Sequence, residues 1–333
     1  MPVRVGVVGV GYLGTFHAEK YRVLPGARLM GVHDIDVERG QRLAESLGVA
    51  FHRRLETLVD AVEALSIAVP TVHHHAIAHD CLARGRHCLL EKPIAETVAQ
   101  AGELVRLARR HGVVLQVGHL ERFNPVLGLL ATGGGQVRHI QTVRHGPCGQ
   151  RGLDVDVVLD LMIHDIDIVL SLHPGPVTVL GATGAAVLGP HWDVASAQLR
   201  FADGSSAQLS ASRLAEATER WIRVHERGRY LCLDYTGQTL SIHHCEVRDG
   251  FPVQRVETMG GQREDLLRLQ LQHFLACVRS GEPPRVGGEA ALRALAVAGR
   301  IRQCLRGTVR DGHHPGVVVG PVAQPGGDAA ALD

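Results

Sequence analysis

The sequence carries almost no net charge. Its 35 Lys and Arg residues nearly balance its 34 Asp and Glu residues, leaving a formal charge of +1 at pH 7 with histidine neutral. Such a chain lacks the basic surface that binds nucleic acid or an acidic membrane, so we expect neither partner. Charged residues interrupt the apolar runs before they reach the length of a membrane span, and no secretory signal pattern precedes the first strand. These absences predict a cytoplasmic protein.

Paired cysteine motifs are also missing. The seven cysteines include no Cys-x-x-Cys, and an odd number without a secretory signal predicts reduced thiols rather than a disulfide framework. Histidine is plentiful, but the clusters His73–His75 and His243–His244 consist of consecutive residues, whose side chains point in different directions and rarely converge on one ion. We therefore predict no metal site.

Lysine is nearly absent as well. Only Lys20 and Lys92 occur in a chain that otherwise uses arginine for its positive charges. A compact ammonium donates to a single oxygen in a tight site and shifts its pKa when buried, which a guanidinium does not. Lys92 is therefore a candidate catalytic residue, and the alternative is a surface lysine at a turn.

Short apolar runs alternate with helical patterns from residue 3 to residue 117, which is typical of βαβ units around a parallel sheet. After residue 119, closely spaced β-type segments with hairpin-like breaks predict a mostly antiparallel sheet. We therefore expect an α/β protein. A Rossmann domain with a doubly wound parallel sheet would span 1–118, and an α+β domain with a large, mostly antiparallel open sheet would span 119–308. The segment 309–333 is rich in Gly, Pro and Ala and predicts disorder.

A glycine-rich turn follows the first predicted strand and opens a helix. In Gly9-Val10-Gly11-Tyr12-Leu13-Gly14, the first glycine permits the tight turn, the second lets the backbone approach a pyrophosphate, and the third lets helix and strand pack closely. Asp34 ends the second predicted strand, where a carboxylate binds ribose hydroxyls and repels a 2′-phosphate. The pattern predicts NAD as the cofactor, with NADP less favoured. His33 and Arg39 lie close enough to leave the use of both open, and a glycine-rich turn of another α/β protein is the alternative.

The Glu91-Lys92-Pro93 motif follows the predicted strand His87–Leu90. It therefore lies at the carboxyl edge of the sheet, where doubly wound folds bind ligands. Pro93 would fix the local backbone, and Glu91 is expected to hold the Lys92 ammonium.

A second polar group lies in a largely apolar helix predicted at Val155–Leu172. Asp160 and His164 are four residues apart and so share one face, with Asp167 a turn further on. A carboxylate beside an imidazole suits a general base that removes an alcohol proton while hydride leaves the same carbon. The alternative is a structural Asp–His pair that ties the helix to its neighbours.

Taken together, these motifs resemble the Gfo/Idh/MocA oxidoreductases (glucose–fructose oxidoreductase, inositol dehydrogenase and their relatives). The matching segments are Gly9–Gly14, Val69–His74, Glu91–Pro93 and Asp160–Asp167. The resemblance implies that Lys92 touches the substrate and the nicotinamide ribose, that Asp160 orients His164, and that His164 is the acid/base. It implies a cofactor site made of Gly9, Gly11, Tyr12, Leu13, Gly14, Asp34, Pro70, Thr71, His74, Glu91 and Lys92.

The segment Val117–Pro125 and the helix around His164 resemble one branch of this family, associated with lipid A, which oxidises C3 of UDP-N-acetylglucosamine to a 3-keto sugar. On that resemblance we expect a small-molecule sugar-nucleotide substrate and assembly as a homodimer or homotetramer through the open face of the second sheet. The expected substrate-binding residues are Lys92, Arg122, Asn124, Asp160, His164, Arg151 and Arg213. A free-sugar or inositol-type dehydrogenase stays open, as does a non-catalytic dinucleotide sensor, which would have no use for a buried base.

Overall fold

The computed structural model describes residues 1–131, 135–149, 155–307 and 317–319. Within these ranges the N-terminal part forms a parallel sheet of six strands in the order β3-β2-β1-β4-β5-β6. The strands are β1 Val3–Val8, β2 Ala27–His33, β3 Ala50–Phe51, β4 Ala64–Ile67, β5 His87–Leu90 and β6 Leu115–Val117. The helices between them are α1 Tyr12–Val23, α2 Val37–Leu47, α3 Leu55–Ala61, α4 His74–Ala83 and α5 Val98–His111. The predicted Rossmann sheet is confirmed.

Local signals explain where these elements begin and end. Helix α5 starts at a capping box in which the Thr97 hydroxyl accepts from the Gln100 amide and the Gln100 side chain accepts from the Thr97 amide. It ends at Gly112, whose φ of 62° lies in the left-handed region that glycine adopts without strain. Strand β4 is buried along its whole length, as expected for a parallel sheet covered by helices on both faces.

The strand order reverses at β1, because β2 and β3 lie on one side of it and β4, β5 and β6 on the other. In open α/β sheets, ligands bind outside the carboxyl ends of the strands at such a reversal. The loops after β1 and β4 therefore form the crevice expected to hold a dinucleotide.

The second sheet is mostly antiparallel and holds nine strands within the described ranges, in the order β14-β13-β12-β11-β7-β10-β9-β8-β15; only β7 and β10 pair in parallel. The strands are β7 Val137–His145, β8 Val177–Ala185, β9 Val194–Phe201, β10 Ser206–Ser212, β11 Glu219–Glu226, β12 Arg229–Asp234, β13 Thr239–Arg248, β14 Phe251–Gly260 and β15 Val317–Val319. Its helices are α6 Leu127–Ala131, α7 Ile163–Leu172, α8 Leu266–Ser280 and α9 Gly288–Gly307. The predicted α+β architecture is confirmed.

Helix α8 returns to the first sheet. Leu271 and Phe274 of α8 are fully buried in one core with Val5 of β1 and Tyr21 of α1. Each buried apolar side chain of this size contributes roughly 1.5–3 kcal/mol. Helix α9 packs against α5 of the first sheet and against α7 and β8 of the second. The two sheets are thus held together by helices from the C-terminal third of the chain.

Three residues of the segment 309–333, for which disorder was predicted, lie in a strand. Val317–Val319 form strand β15, which pairs antiparallel with β8 and so satisfies an edge of the second sheet. The rest of that segment lies outside the described residues.

In the part of the chain that the structure describes, no helix combines the length and apolar character needed to cross a membrane.

Candidate active site

The glycine-rich turn has the shape that a dinucleotide pyrophosphate requires. Gly9 has a φ of +81°, and a Cβ built on Gly14 would lie 1.8 Å from the Gly9 carbonyl oxygen. Helix α1 can therefore approach β1 only because these positions lack side chains. Around Gly11, by contrast, no described atom lies within 4 Å of the position that a Cβ would take, and no side chain caps the first turn of α1. The open space beside Gly11 and the helix N-terminus together fit a bound pyrophosphate.

Asp34 directly follows β2 beside this turn and is 4% exposed. Its carboxylate accepts hydrogen bonds from the Val10 amide (2.7 Å) and the Asp36 amide (2.8 Å), and Arg39 binds both oxygens, at 2.7 and 3.3 Å. Burial alone would raise the pKa of Asp34, but the hydrogen bonds from Arg39, Val10 and Asp36 hold it below its ordinary value. The carboxylate is therefore ionised. A ribose hydroxyl that binds this carboxylate would compete with Arg39, whose side chain is 44% exposed. His33 is turned away, with its Nδ1 2.8 Å from the His52 carbonyl oxygen.

The Pro70–Thr71 segment follows β4 and begins a short 3₁₀ turn at Thr71–His73, on the other side of the crevice. His74 lies behind it and is 1% exposed. Its Nδ1 is 2.8 Å from the Pro93 carbonyl oxygen and its Nε2 is 2.9 Å from that of Val69. Burial lowers the pKa of His74 despite these two carbonyls. His74 thus joins the loop after β4 to the loop after β5 and shapes the crevice wall.

Lys92, in the loop after β5, contacts Asp160 in the second part of the chain. Its Nζ donates to the backbone carbonyl of Asp160 at 2.7 Å and to the Asp160 carboxylate at 3.0 Å. An ammonium has three donors, so two are used here and one stays available to a substrate oxygen. The prediction that Glu91 holds this ammonium is wrong. The Glu91 carboxylate lies 3.3 Å from Nε2 of His17 on α1. Burial alone would raise the pKa of Glu91, but His17 above all holds it below its ordinary value.

The predicted helix around His164 is not α-helical throughout. Val158–Met162 is a π-helix, and α7 follows it. A π-helix has more residues per turn than an α-helix, so residues four apart no longer share one face. Within the described residues, no hydrogen bond joins Asp160 to His164. The predicted role of Asp160 as the orienter of His164 is therefore corrected: Asp160 binds Lys92.

His164 is partly accessible, and its Nδ1 is buried without a hydrogen-bond partner in the described part of the chain. Burial is the largest cause that holds its pKa well below the ordinary value, and the charges of Lys92 and Arg144 act in the same direction. The ring is consequently neutral at pH 7, the state in which an imidazole accepts a proton.

His119 also belongs to the site, although it was not among the predicted site residues. It follows β6 directly, at the same sheet edge as Lys92, and its ring lies edge-on to that of His164 with 5.9 Å between centroids. It is 1% exposed, and neither ring nitrogen has a partner among the described residues. Burial lowers its pKa. Two sequence signals were available, its position after a parallel strand and its place in the Val117–Pro125 segment, but an unpartnered ring is visible only in three dimensions.

The remaining acidic residues of the Asp160–Asp167 motif bind arginines. Asp165 pairs with Arg144 at 2.9 Å, and Asp167 lies 3.3 Å from Arg122. Arg122, expected to bind substrate, is thereby held on α7.

Asn124 and Arg213 are also tied to nearby backbone. The Asn124 Oδ1 accepts from the Val126 amide, while its buried Nδ2 has no partner in the described ranges. Arg213 donates to the Val155 carbonyl at 2.6 Å and lies 3.4 Å from Asp193. Arg151 lies outside the described residues.

Over the described ranges, no group of three or more His, Cys, Asp and Glu side chains is arranged to hold a metal ion. All seven cysteines fall within those ranges and are free thiols.

Comparison with known proteins gives matches over nearly the whole chain. Residues 3–119 match the model of an oxidoreductase family with an NAD-binding Rossmann fold, and residues 134–230 match the GFO/IDH/MocA C-terminal domain. UDP-N-acetylglucosamine 3-dehydrogenase from Acidithiobacillus ferrooxidans is 34% identical over 303 residues, covering 90% of this chain and 96% of that protein. A myo-inositol 2-dehydrogenase from Thermotoga maritima is 26% identical over 322 residues, covering 91% and 96%.

The solved structure of the Acidithiobacillus ferrooxidans enzyme superposes with a TM-score of 0.88 and covers 93% of this chain and 100% of that one. The family models together span more than half of the sequence, and they include the glycine-rich turn, the Glu-Lys-Pro motif and the π-helix. The chain therefore belongs to the Gfo/Idh/MocA family of oxidoreductases, enzymes that act on hydroxyl groups.

Proposed function

We propose that the protein uses NAD to oxidise the C3 hydroxyl of UDP-N-acetylglucosamine to a 3-keto sugar. The observation that carries the chemistry is the Lys92–Asp160 contact beside the neutral, partly accessible ring of His164. The choice of sugar rests on the 34% identity to a UDP-N-acetylglucosamine 3-dehydrogenase.

His164, Lys92 and Asp160 have different roles in the proposed alcohol oxidation. The nicotinamide, when bound, supplies the acceptor for the hydride that leaves the carbon. His164 takes the hydroxyl proton, because its lowered pKa keeps the ring neutral and ready to accept. Lys92 donates its remaining N–H to the same oxygen and stabilises the negative charge that develops as the proton departs. Asp160 fixes the ammonium by two contacts and so sets its direction.

Isotopic labelling tests this assignment. We expect UDP-N-acetylglucosamine carrying deuterium at C3 to pass that deuterium to NAD and to react more slowly than the unlabelled sugar. The matched control carries deuterium at C4 and should do neither. NADH formation with myo-inositol or free N-acetylglucosamine, and none with the sugar nucleotide, would replace this proposal by a cyclitol or free-sugar dehydrogenase.

We infer NAD rather than NADP as the preferred cofactor, because the ionised Asp34 carboxylate at the end of β2 would repel a 2′-phosphate. Arg39 weakens the preference, since its guanidinium neutralises Asp34 and could face the phosphate. Calorimetric titration should give tighter binding of NAD, and Arg39→Gln should weaken NADP binding more than NAD binding. Equal or tighter binding of NADP to the unaltered protein would contradict the inference.

We further infer a homodimer or homotetramer. Four large apolar side chains of the outer strand β14 are exposed by 37–72%: Phe251, Val253, Val256 and Met259. Exposed apolar side chains on a sheet edge are a hazard in a monomer and are usually covered. Light scattering should give the mass of an oligomer for the unaltered protein and a smaller mass for Phe251→Ser. A monomeric mass for the unaltered protein at micromolar concentration would contradict this.

A further inference from the structure

A basic cavity of about 450 Å³ lies beside Asp160, on the side of the second sheet. Three arginines line it together with Asp160: Arg144, Arg213 and Arg220. Because Asp160 also contacts Lys92, the cavity adjoins the place where the hydroxyl is oxidised. It is formed by the second domain and lies apart from the Gly9–Gly14 turn that would hold the cofactor pyrophosphate.

Two of these arginines occupy directly paired positions in neighbouring strands. Arg220 of β11 pairs with Arg144 of β7, so the two side chains leave the same face of the sheet. Like charges placed directly opposite each other destabilise a sheet. The pairing places the positive charge of Arg220 next to that of Arg144 in the lining of the cavity.

The other charged side chains of the cavity already have partners. Arg144 is 3% exposed and contacts Asp165 at 2.9 Å and Glu121 at 3.0 Å. Arg213 lies 3.4 Å from Asp193.

Arg220 is an exposed residue, and within the described ranges its side chain makes no hydrogen bond and has no carboxylate within 4.0 Å. Partial burial and the nearby Arg144 charge lower the pKa of Arg220, against the opposite effect of nearby carboxylates, with Glu121 the first of them. Its guanidinium offers a planar fork of donors suited to phosphate oxygens.

We propose that this cavity binds the phosphate groups of the substrate, with Arg220 as the residue that contacts them. The inference rests on the proposed oxidation of a sugar nucleotide and adds the site that would recognise its diphosphate. A sugar placed with its hydroxyl at Lys92 would direct its phosphates past Asp160 into the cavity. Arg220 is then a determinant of specificity for phosphorylated over free sugars.

Calorimetry with UDP tests the site without any turnover. Arg220→Gln should weaken UDP binding by about 10- to 100-fold, the value of hydrogen bonds to a charged group. Added salt should weaken UDP binding to the unaltered protein.

The matched control is Arg223→Gln. Arg223 lies on the same strand but points to the opposite face, over Trp221, and its loss should leave UDP binding unchanged. NAD binding and the thermal midpoint should be unaltered in both variants. If Arg220→Gln lowers the midpoint, Arg220→Met, which keeps the unbranched stem, repeats the test.

Three further ligands identify what the cavity recognises. N-acetylglucosamine 1-phosphate should bind in an Arg220-dependent manner, whereas uridine should show no dependence on Arg220. Equal UDP affinity in Arg220→Gln and the unaltered protein would overturn the proposal. So would Arg220-dependent binding of glucuronate without binding of UDP, since the cavity would then recognise a carboxylate. Arg220-dependent UDP binding in a protein that fails to oxidise UDP-N-acetylglucosamine would support the phosphate site while overturning the choice of sugar.

Discussion

At the scale of single residues, the site is defined by which side chain takes the hydroxyl proton. The pKa of His164 lies well below its ordinary value, so the ring is neutral across the neutral range. We expect kcat/KM for oxidation to be independent of the His164 ionisation near pH 7 and to fall only at a pH well below about 6.5, the ordinary pKa of histidine. His164→Ala should lose about 10²–10⁴-fold in turnover, as usual for removal of a general base, with NAD binding retained.

The structural alternative for His164 predicts a different result. If the ring only fills the core, His164→Ala would lower the thermal midpoint, and activity would follow the folded fraction. Measuring the midpoint and the turnover on the same samples separates the two roles.

His119 gives a second prediction at this scale. Leaving a buried polar group without a partner costs about 1–3 kcal/mol, so a ring with two such nitrogens reduces the free energy of unfolding. His119→Phe keeps a ring of similar shape and should leave that free energy unchanged or raise it by about 1 kcal/mol. If a bound ligand normally supplies the missing partner, KM for sugar or NAD should rise at the same time. A less stable protein with unaltered kinetics would make His119 a structural residue.

At the scale of elements, two glycines of the glycine-rich turn have different roles: Gly14 allows helix packing, and Gly11 leaves space for a ligand. Gly14→Ala places a Cβ against the Gly9 carbonyl oxygen and should force α1 away from β1, lowering both the thermal midpoint and NAD affinity. Gly11→Ala meets no described atom and has an ordinary φ of −65°, so the fold should tolerate it. Its methyl group occupies the space that a pyrophosphate needs, and NAD affinity should fall about tenfold or more.

Gly299→Ala is the matched control for these variants. Gly299 lies in α9, and no described atom lies within 4 Å of its added Cβ. Alanine is the better helix former, so the midpoint should stay level or rise. Unchanged NAD affinity in Gly11→Ala, measured beside this control, would mean that the turn does not hold the cofactor.

At the scale of the whole molecule, histidine burial predicts sensitivity to acid. Among the described residues, eight histidines have a lowered pKa, each with burial as the first cause; they are His52, His74, His87, His119, His139, His164, His225 and His273. Below about pH 6.5 the unfolded chain takes up protons on these rings while the native protein stays neutral there. The unfolded state then binds more protons, so the free energy of unfolding falls as the pH falls.

Thermal midpoints measured from pH 7.5 to pH 5.5 should therefore decrease steadily. The double variant His139→Gln with His225→Gln should show a shallower decrease, because both rings lie half-buried in adjacent strands and 5.9 Å apart. A midpoint that is flat or rises toward pH 5.5 would contradict this account.

The two sheets, the position of the loops after the parallel strands and the family could be predicted from the sequence alone. Period-two and helical patterns with glycine at the turns placed the parallel sheet, the antiparallel sheet and the residues after each parallel strand, since strand burial and turn chemistry are local properties. The scarcity of lysine drew attention to Lys92, and the motifs indicated the family.

Only the tertiary structure decided which side chains contact each other. Spacing along an assumed α-helix joined Asp160 to His164, but the π-helix and the approach of β5 brought Lys92 to Asp160 instead. Helix α8 covers the first sheet because Phe274 and Tyr21 share a core, although they lie about 250 residues apart in the chain. Arg220 lies in no motif and His119 was not singled out within the Val117–Pro125 segment, because an unpaired side chain is visible only in the fold. Pairing depends on distances between remote segments, and a sequence pattern records only distances along the chain.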